Sequence, residues 1–134
     1  MTIPLGTPAA RARFPEILRF DLVDSTNEEL RRRIDAGGCG DGLVVVAERQ
    51  SGGRGRLGRS WASPTGNLHI SIARRLDEPH QITTAMTLVT GLALARAVET
   101  STGVRPWIKW PNDLQFHDLK LAGILVEGHK GWQI

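Results

Sequence analysis

Gly42-Leu43-Val44-Val45-Val46-Ala47-Glu48 is a run of five apolar residues, three of them valine, with a glycine on one side and a carboxylate on the other. Branched side chains pack well on a pleated surface, so the run predicts a strand. Its apolarity is continuous and does not alternate, which is the signature of a buried central strand. Such a strand needs neighbours, and the flanking sequence supplies them. Upstream, Arg19–Val23 (RFDLV) predicts a first strand. A helix follows over roughly Glu28–Ala36, with Leu30 and Ile34 on one face and Gly37-Gly38 as its stop. Downstream, Asn67–Arg74 alternates: Leu68, Ile70 and Ile72 face one way, and His69, Ser71 and Ala73 the other, as in a strand covered on one face. Gln81–Thr100 predicts the longest helix, with Ile82, Ala85, Val89, Leu92, Ala93 and Ala97 near helical spacing and Gly103 beyond its end. Trp107–Trp110, halted by Pro111, and Lys120–Glu127 (KLAGILVE) predict further strands. The fold class is α+β, a mixed β-sheet with flanking helices.

The 134 residues suffice for one small domain, and at 40% apolar they support a buried core and argue against disorder. Residues 1–18 read as an N-terminal extension without fixed structure, and residues 19–134 as the domain. No apolar run approaches the ~20 residues that span a membrane, and the N-terminus lacks the greasy segment of a secretory signal. A cytoplasmic location is the default. Cys39 is the only cysteine, so no internal disulfide forms, and the four histidines have no metal-type spacing. No structural metal is expected. The net charge is a modest +3, but Arg49, Arg54, Arg56 and Arg59 crowd one short segment. That crowding points to an anionic ligand at one place more than to a broad nucleic-acid surface. At the other end, Gly128–Gly131 reads as a hairpin turn and Trp132-Gln133-Ile134 as the opening of a return strand. The sequence is therefore read as C-terminally truncated.

The segment Gly52-Gly53-Arg54-Gly55-Arg56-Leu57-Gly58-Arg59 is the most unusual stretch. Glycine permits positive φ and close approach, so successive N–H groups can form an anion-binding nest, and arginine adds forked donors suited to phosphate. Two look-alikes fail. Gly53 to Gly58 matches G-x-G-x-x-G, but no helix follows, as the dinucleotide motif requires; a Walker A loop needs a lysine that is absent here. The plain alternative is a solvated hairpin loop between strands.

Three other segments carry polar groups at element ends, each with a bland reading beside the functional one. Asp24-Ser25-Thr26-Asn27-Glu28-Glu29 makes a capping box, Thr26 with Glu29 or Ser25 with Glu28, or else presents hydroxyl and amide groups to a polar ligand ring. Trp107-Ile108-Lys109-Trp110-Pro111-Asn112-Asp113 ends in an ordinary turn, or in a ligand or metal contact at Asn112-Asp113. Lys120 guards a strand edge, or stabilises negative charge developing on a carboxylate or phosphate.

Taken jointly, the four segments resemble the biotin–protein ligase family. Its pattern runs Ser-Thr-Asn, then Gly-Arg-Gly-Arg-x-Gly-Arg-x-Trp-x-Ser-Pro, then Lys-Trp-Pro-Asn-Asp, then Lys-Leu-x-Gly-Ile-Leu-x-Glu. Here these are Ser25–Asn27, Gly53–Arg59 with Trp61 and Ser63-Pro64, Lys109–Asp113, and Lys120–Glu127. Order, spacing and identity agree over roughly residues 19–134.

The resemblance implies an incomplete catalytic domain of the class II aminoacyl-tRNA synthetase and biotin ligase type. It implies a two-step reaction, in which biotin and Mg-ATP give biotinyl-5′-AMP and pyrophosphate, and a carrier lysine then displaces AMP. Biotin, ATP and Mg2+ are the implied small molecules, and a biotin carboxyl carrier protein or domain of a carboxylase is the implied partner. The resemblance also admits a homodimer. Arg54, Gly55 and Arg56 match positions that close over biotin and the adenylate phosphate, with Gly53, Arg59 and Trp61 in the same loop. Lys120 matches the lysine beside the biotin carboxylate and α-phosphate; Lys120, Arg54 and Arg56 are the implied catalytic residues. Ser25, Thr26, Asn27 and Gln50 match the lining of the ureido end, Gly123 and Leu125 its floor, and Asn112 and Asp113 the nucleotide and magnesium side. The chain departs from the pattern in two ways. It shows no N-terminal helix-turn-helix, so it is similar to the monofunctional ligases and no DNA partner is expected. It also ends before a Gly-Ile-Gly-Ile-Asn-like strand and a C-terminal β-barrel that help build the relatives' ATP site. Leu57 stands where a basic residue is frequent. Lipoate–protein ligase, an inactive remnant and an arginine–glycine nucleic-acid module are the competing readings; scarce aromatics weigh against the last.

Overall fold

A computed structural model describes residues 7–76 and 83–134. The valine-rich run forms β2 (Val44–Gln50), the middle strand of a three-stranded sheet. β1 (Ile17–Val23) pairs with it in parallel, Leu18 opposite Val45 and Phe20 opposite Ala47. β3 (His69–Ile72) pairs on the other side antiparallel, Val45 opposite Ser71 and Ala47 opposite His69. The sheet is mixed, as expected, and β2 is its buried centre: Val44, Val45 and Ala47 are at most 4% exposed.

A parallel pair needs a crossover, and α2 (Thr26–Asp35) provides it. Leu30 is fully buried and packs with Leu43, Val45, Ala73 and Ile134; Ile34, Leu18 and Phe20 close the cluster. The helix ends where the glycines lie. Gly37 sits at φ +72, and the Gly38 N–H reaches back to the Arg33 carbonyl at 2.9 Å. Gly42 has no alternative, because a Cβ there would stand 2.0 Å from the Arg13 carbonyl oxygen. That contact ties the N-terminal segment to β2. Correspondingly, part of the expected unstructured extension is ordered: α1 (Pro8–Arg13) is helical, capped by the Thr7 hydroxyl at 3.2 Å, and β1 begins two residues before Arg19.

After Ala73 the chain passes into β4 (Arg74–Arg75), which pairs with β9 (Trp132–Gln133); β9 also pairs with β8 (Gly128–His129), giving the expected terminal hairpin. α3 (Thr83–Thr102) leads to an antiparallel meander, β5 (Trp107–Lys109), β6 (Asp113–Phe116) and β7 (Leu119–Gly123). The Trp110–Pro111 peptide between β5 and β6 is cis.

The structure decides one face that the sequence left open and departs from expectation at another. In β3 the covered face is that of His69, Ser71 and Ala73, at 6%, 6% and 0% exposure, while Leu68 and Ile70 lie open. The reason is topological: α2 lies on the His69 side, and small or polar side chains let it approach. In α3 the expected stripe is also largely outward. Val89 and Leu92 are exposed and Ala85, Ala93 and Ala97 with them, whereas Gly91 is buried against Ile124. A helix apolar on most sides carries no periodic preference for one face. Gln81 and Ile82 fall outside the described residues.

Candidate functional site

The start of α2, the end of β2 and the arginine loop meet at one place. Ser25, Thr26 and Asn27 are all at least nine-tenths buried. The expected capping box does not form: Ser25 is the N-cap, but its side chain makes no cap bond. Gln50 does that work from another strand, its Oε1 accepting from the Thr26 N–H at 2.8 Å and from the Thr26 hydroxyl at 3.1 Å. Glu28 and Glu29 turn instead to arginines. Glu29 pairs with Arg32 and Arg33, and Glu28 with Arg31 and Arg54.

The cradle extends in two directions. Ser71, from β3, lies 2.7 Å from the Thr26 hydroxyl and also donates to Asn27 Oδ1. Gln50 Nε2 donates to Ser63 Oγ at 2.9 Å, and Ser63 lies 3.4 Å from the Trp61 carbonyl. A file of buried polar groups therefore runs from β3 through α2 to the loop. Beneath it Asp24 is gripped by both terminal nitrogens of Arg32 at 2.8 and 2.9 Å and accepts from the Ser25 N–H at 2.7 Å. The Arg32 guanidinium lowers the Asp24 carboxyl to about 2.

The loop is a built hairpin. Arg54 bridges to Ser60, Trp61 N–H donates to the Gly53 carbonyl at 2.8 Å, and Gly55 N–H to the Arg59 carbonyl at 2.7 Å; a short 3₁₀ turn, Arg56–Gly58, forms the tip. Gly53 is required by close approach: a Cβ would meet Ser63 Oγ and the Trp61 carbonyl, both at 2.6 Å. Positive φ, expected of the loop glycines, belongs to Leu57 and Gly58.

The two arginines diverge. Arg54 reaches Glu28 and, at 3.2 Å, Glu127. Arg56 reaches Asn112 Oδ1 at 3.2 Å, and Asn112 is held to Ile124 by its own amide and its carbonyl. Next to Asn112, Asp113 pairs with Lys120 at 2.8 Å. The Lys120 ammonium lies 4.6 Å from the Trp61 ring centroid, and the indole lies flush against Gly123, where a Cβ would stand 3.1 Å from it. Leu125 and Arg56 line a cleft of about 210 Å³ with Pro111, Ile124, Val126, Leu57 and Thr87. Arg56 thus turns to Asn112, whose neighbour Asp113 holds Lys120, while Arg54 is turned toward α2. Arg59 is exposed, and its backbone alone joins the hairpin.

Three comparisons bear on this geometry. A model of the biotin/lipoate A/B protein ligase family matches residues 19–133. The chain belongs to that family. Among curated members it is similar to the bifunctional ligase/repressor BirA of Escherichia coli, at 43% identity over 79% of this chain and 33% of that one. It is similar to the biotin–[acetyl-CoA-carboxylase] ligase of Mycobacterium tuberculosis at 41% identity, over 77% of this chain and 41% of that one. Among solved members it superposes on the biotin protein ligase from Aquifex aeolicus in complex with biotin and ATP, with TM-score 0.79, 36% identity, and 90% and 50% of the two chains covered. For the Leishmania major ligase in complex with biotinyl-5-AMP the values are 0.77, 29%, 89% and 54%. The mixed sheet with flanking helices is that of the family's catalytic domain, and the chain spans about half the length of these two structures.

Within this family chain, residues without an assigned role in the sequence reading now stand at the site. Ser71 and Ser63 belong to the polar file, and Glu28 and Glu127 hold Arg54. Ser71 was legible in the alternation of β3; Glu127 closes the Lys120–Glu127 segment. Nothing local in the sequence pairs either with its partner. Among the described residues no group of three or more His, Cys, Asp or Glu side chains is gathered to hold a metal, and no helix is long and apolar enough to cross a membrane.

Proposed function

We propose that the chain carries the biotin-binding and adenylate-forming part of a biotin–protein ligase, acting in the cytoplasm on a lysine of a biotin carboxyl carrier protein or domain. The observation that supports it is the pairing of two unlike ends. A buried hydrogen-bonding file, Ser71–Thr26–Gln50–Ser63, leads to a cationic end where Lys120 lies over Trp61 beside Arg56. A ligand fitting both has a polar ring at one end and a carboxylate at the other, which describes biotin. Lipoate has a carboxylate, but its dithiolane ring has no N–H or C=O to match the polar file, so it gains none of the hydrogen bonding that a ureido ring would.

In this reading Ser25, Thr26, Asn27 and Gln50 bind the ureido ring. Gly53 and Gly55 let the loop backbone approach it, and Gly123 and Leu125 form the floor. Lys120 and Arg56 offset the repulsion between the biotin carboxylate and the α-phosphate of ATP, with Arg54 and Arg59 as further loop cations. A carboxylate oxygen attacks the α-phosphorus, the bond to the bridging oxygen breaks, and pyrophosphate leaves. The amine of the carrier lysine then attacks the mixed anhydride carbonyl and AMP leaves. Trp61 shields that anhydride from water. Asn112 and Asp113 offer oxygens on the nucleotide side. One amide oxygen and one carboxylate, with no larger cluster of ligating side chains among the described residues, suit a magnesium ion that would arrive with the triphosphate and supply charge neutralisation there. No DNA contact belongs to this proposal.

The test is pyrophosphate release from Mg-ATP. Biotin-dependent release, absent when lipoate replaces biotin, is the expected result. Release that is indifferent to biotin, or that lipoate supports equally, would overturn the reading.

A further inference from the structure

Glu127 has no part in the chemistry above, yet α2 and the arginine loop meet on its carboxylate. Its backbone is pinned to the terminal strand, with Glu127 and Ile134 exchanging both N–H···O bonds at 2.9 Å. Oε2 accepts from Asn27 Nδ2 at 2.9 Å and from Arg54 Nη2 at 3.2 Å, while Oε1 pairs with Arg31 Nη2 at 3.1 Å. Glu28 pairs with the same two arginines. Two guanidiniums and two carboxylates thus close a square, with the Asn27 amide at one corner. The Glu127 side chain is only 20% exposed.

The pairing fixes Asn27. Its Nδ2 donates to Glu127, and its Oδ1 accepts from Ser71. A carboxylate only accepts, so Nδ2 must face Glu127 and the amide stands one way round.

We propose that Glu127 is a positioning residue of this pocket. Its negative charge holds Arg54 against α2, and its acceptor oxygen locks the Asn27 amide. An anionic ligand group must then draw Arg54 away from Glu127 while the polar file stays in place. This rests on the biotin-pocket reading and adds to it the group against which the ligand competes.

The two jobs need different properties, so substitutions separate them. Glu127→Gln keeps an acceptor for Asn27 but removes the charge on Arg54; biotin should bind tighter, by up to about fivefold, the scale of one partly exposed ion pair. Glu127→Ala removes both, and biotin should bind several-fold more weakly. A residue with a merely structural role weakens binding in both variants. Calorimetric titration with biotin at low salt, on the full chain and on both variants, reads the affinities, and circular dichroism checks that each is folded. If Glu127→Gln does not fold, Glu28→Gln frees Arg54 from its other carboxylate and should tighten binding in the same direction.

A ligand-free arm separates this inference from the function. In ¹⁵N spectra the Asn27 side-chain amide should keep its position in Glu127→Gln and move in Glu127→Ala, and the Arg54 Nε–H signal should change in both. A parent chain that ignores biotin removes the pocket reading but leaves these signals to judge Glu127. Biotin affinity in Glu127→Gln at or below the parent's, or an unmoved Arg54 signal, overturns the proposal.

Discussion

At the α2 end of the site Ser25, Thr26 and Asn27 are at least nine-tenths buried, whereas at the β7 end Lys120 is 38% exposed, with Arg56 and Trp110 open to solvent. The first region is a hydrogen-bond network in which Gln50 joins Ser63 to the helix start and Ser71 joins β3 to the same turn of α2. The second is a set of charges held by single contacts, Lys120 on Asp113 and Arg56 on Asn112. The contrast has a physical logic. Buried polar groups are costly to rearrange, so they recognise a fixed shape; half-exposed charges rearrange cheaply, so they can follow a group whose charge changes during a reaction.

Substitutions sharpen the contrast. Leu30→Ala, beneath the polar file, should lose ~2–5 kcal/mol of stability in denaturant unfolding, because Leu30 is fully buried. Leu121→Ala, on half-exposed β7, should change it by less than ~0.5 kcal/mol. Similar losses at the two sites would remove the distinction. Lys120→Ala should reverse the order of effects, with stability within ~1 kcal/mol of the parent but biotin-dependent pyrophosphate release down about 10²–10³-fold. Near-normal release would take Lys120 out of its role. Gln50→Ala should cost both, ~1–3 kcal/mol of stability from the unpartnered Thr26 N–H and, with it, biotin affinity measured by calorimetry.

The smallest effect is in acid. Asp24 titrates at about 2 in the fold against an ordinary 3.8, chiefly through Arg32. A depressed carboxyl stabilises the fold above its unfolded value, and that contribution disappears as pH falls from 3.8 toward 2. Denaturant midpoints across that window should fall more steeply in the parent than in Asp24→Asn; parallel curves would contradict the assignment.

The same division governs how much was legible in the sequence. β2 was readable because three valines between a glycine and a glutamate leave little else, and α2 because Gly37 and Gly38 stop it. The site segments were readable because Ser25–Asn27, Gly53–Arg59, Asn112–Asp113 and Lys120–Glu127 are ordered local motifs. Pairings between them were not. That Gln50 caps α2 where a capping box was expected, or that Arg54 turns to Glu127 while Arg56 turns to Asn112, depends on chain separations of 24 to 73 residues. Faces failed for a related reason: the alternation of β3 marks two sides, but only the placement of α2 says which is covered.

Ligand truncation tests the central division most directly. Calorimetric titration of the parent, Gln50→Ala and Lys120→Ala with biotin and with its methyl ester isolates the carboxylate. Lys120→Ala should weaken biotin while leaving the ester unchanged, and Gln50→Ala should weaken both equally. Equal losses for biotin and ester in Lys120→Ala would contradict the account.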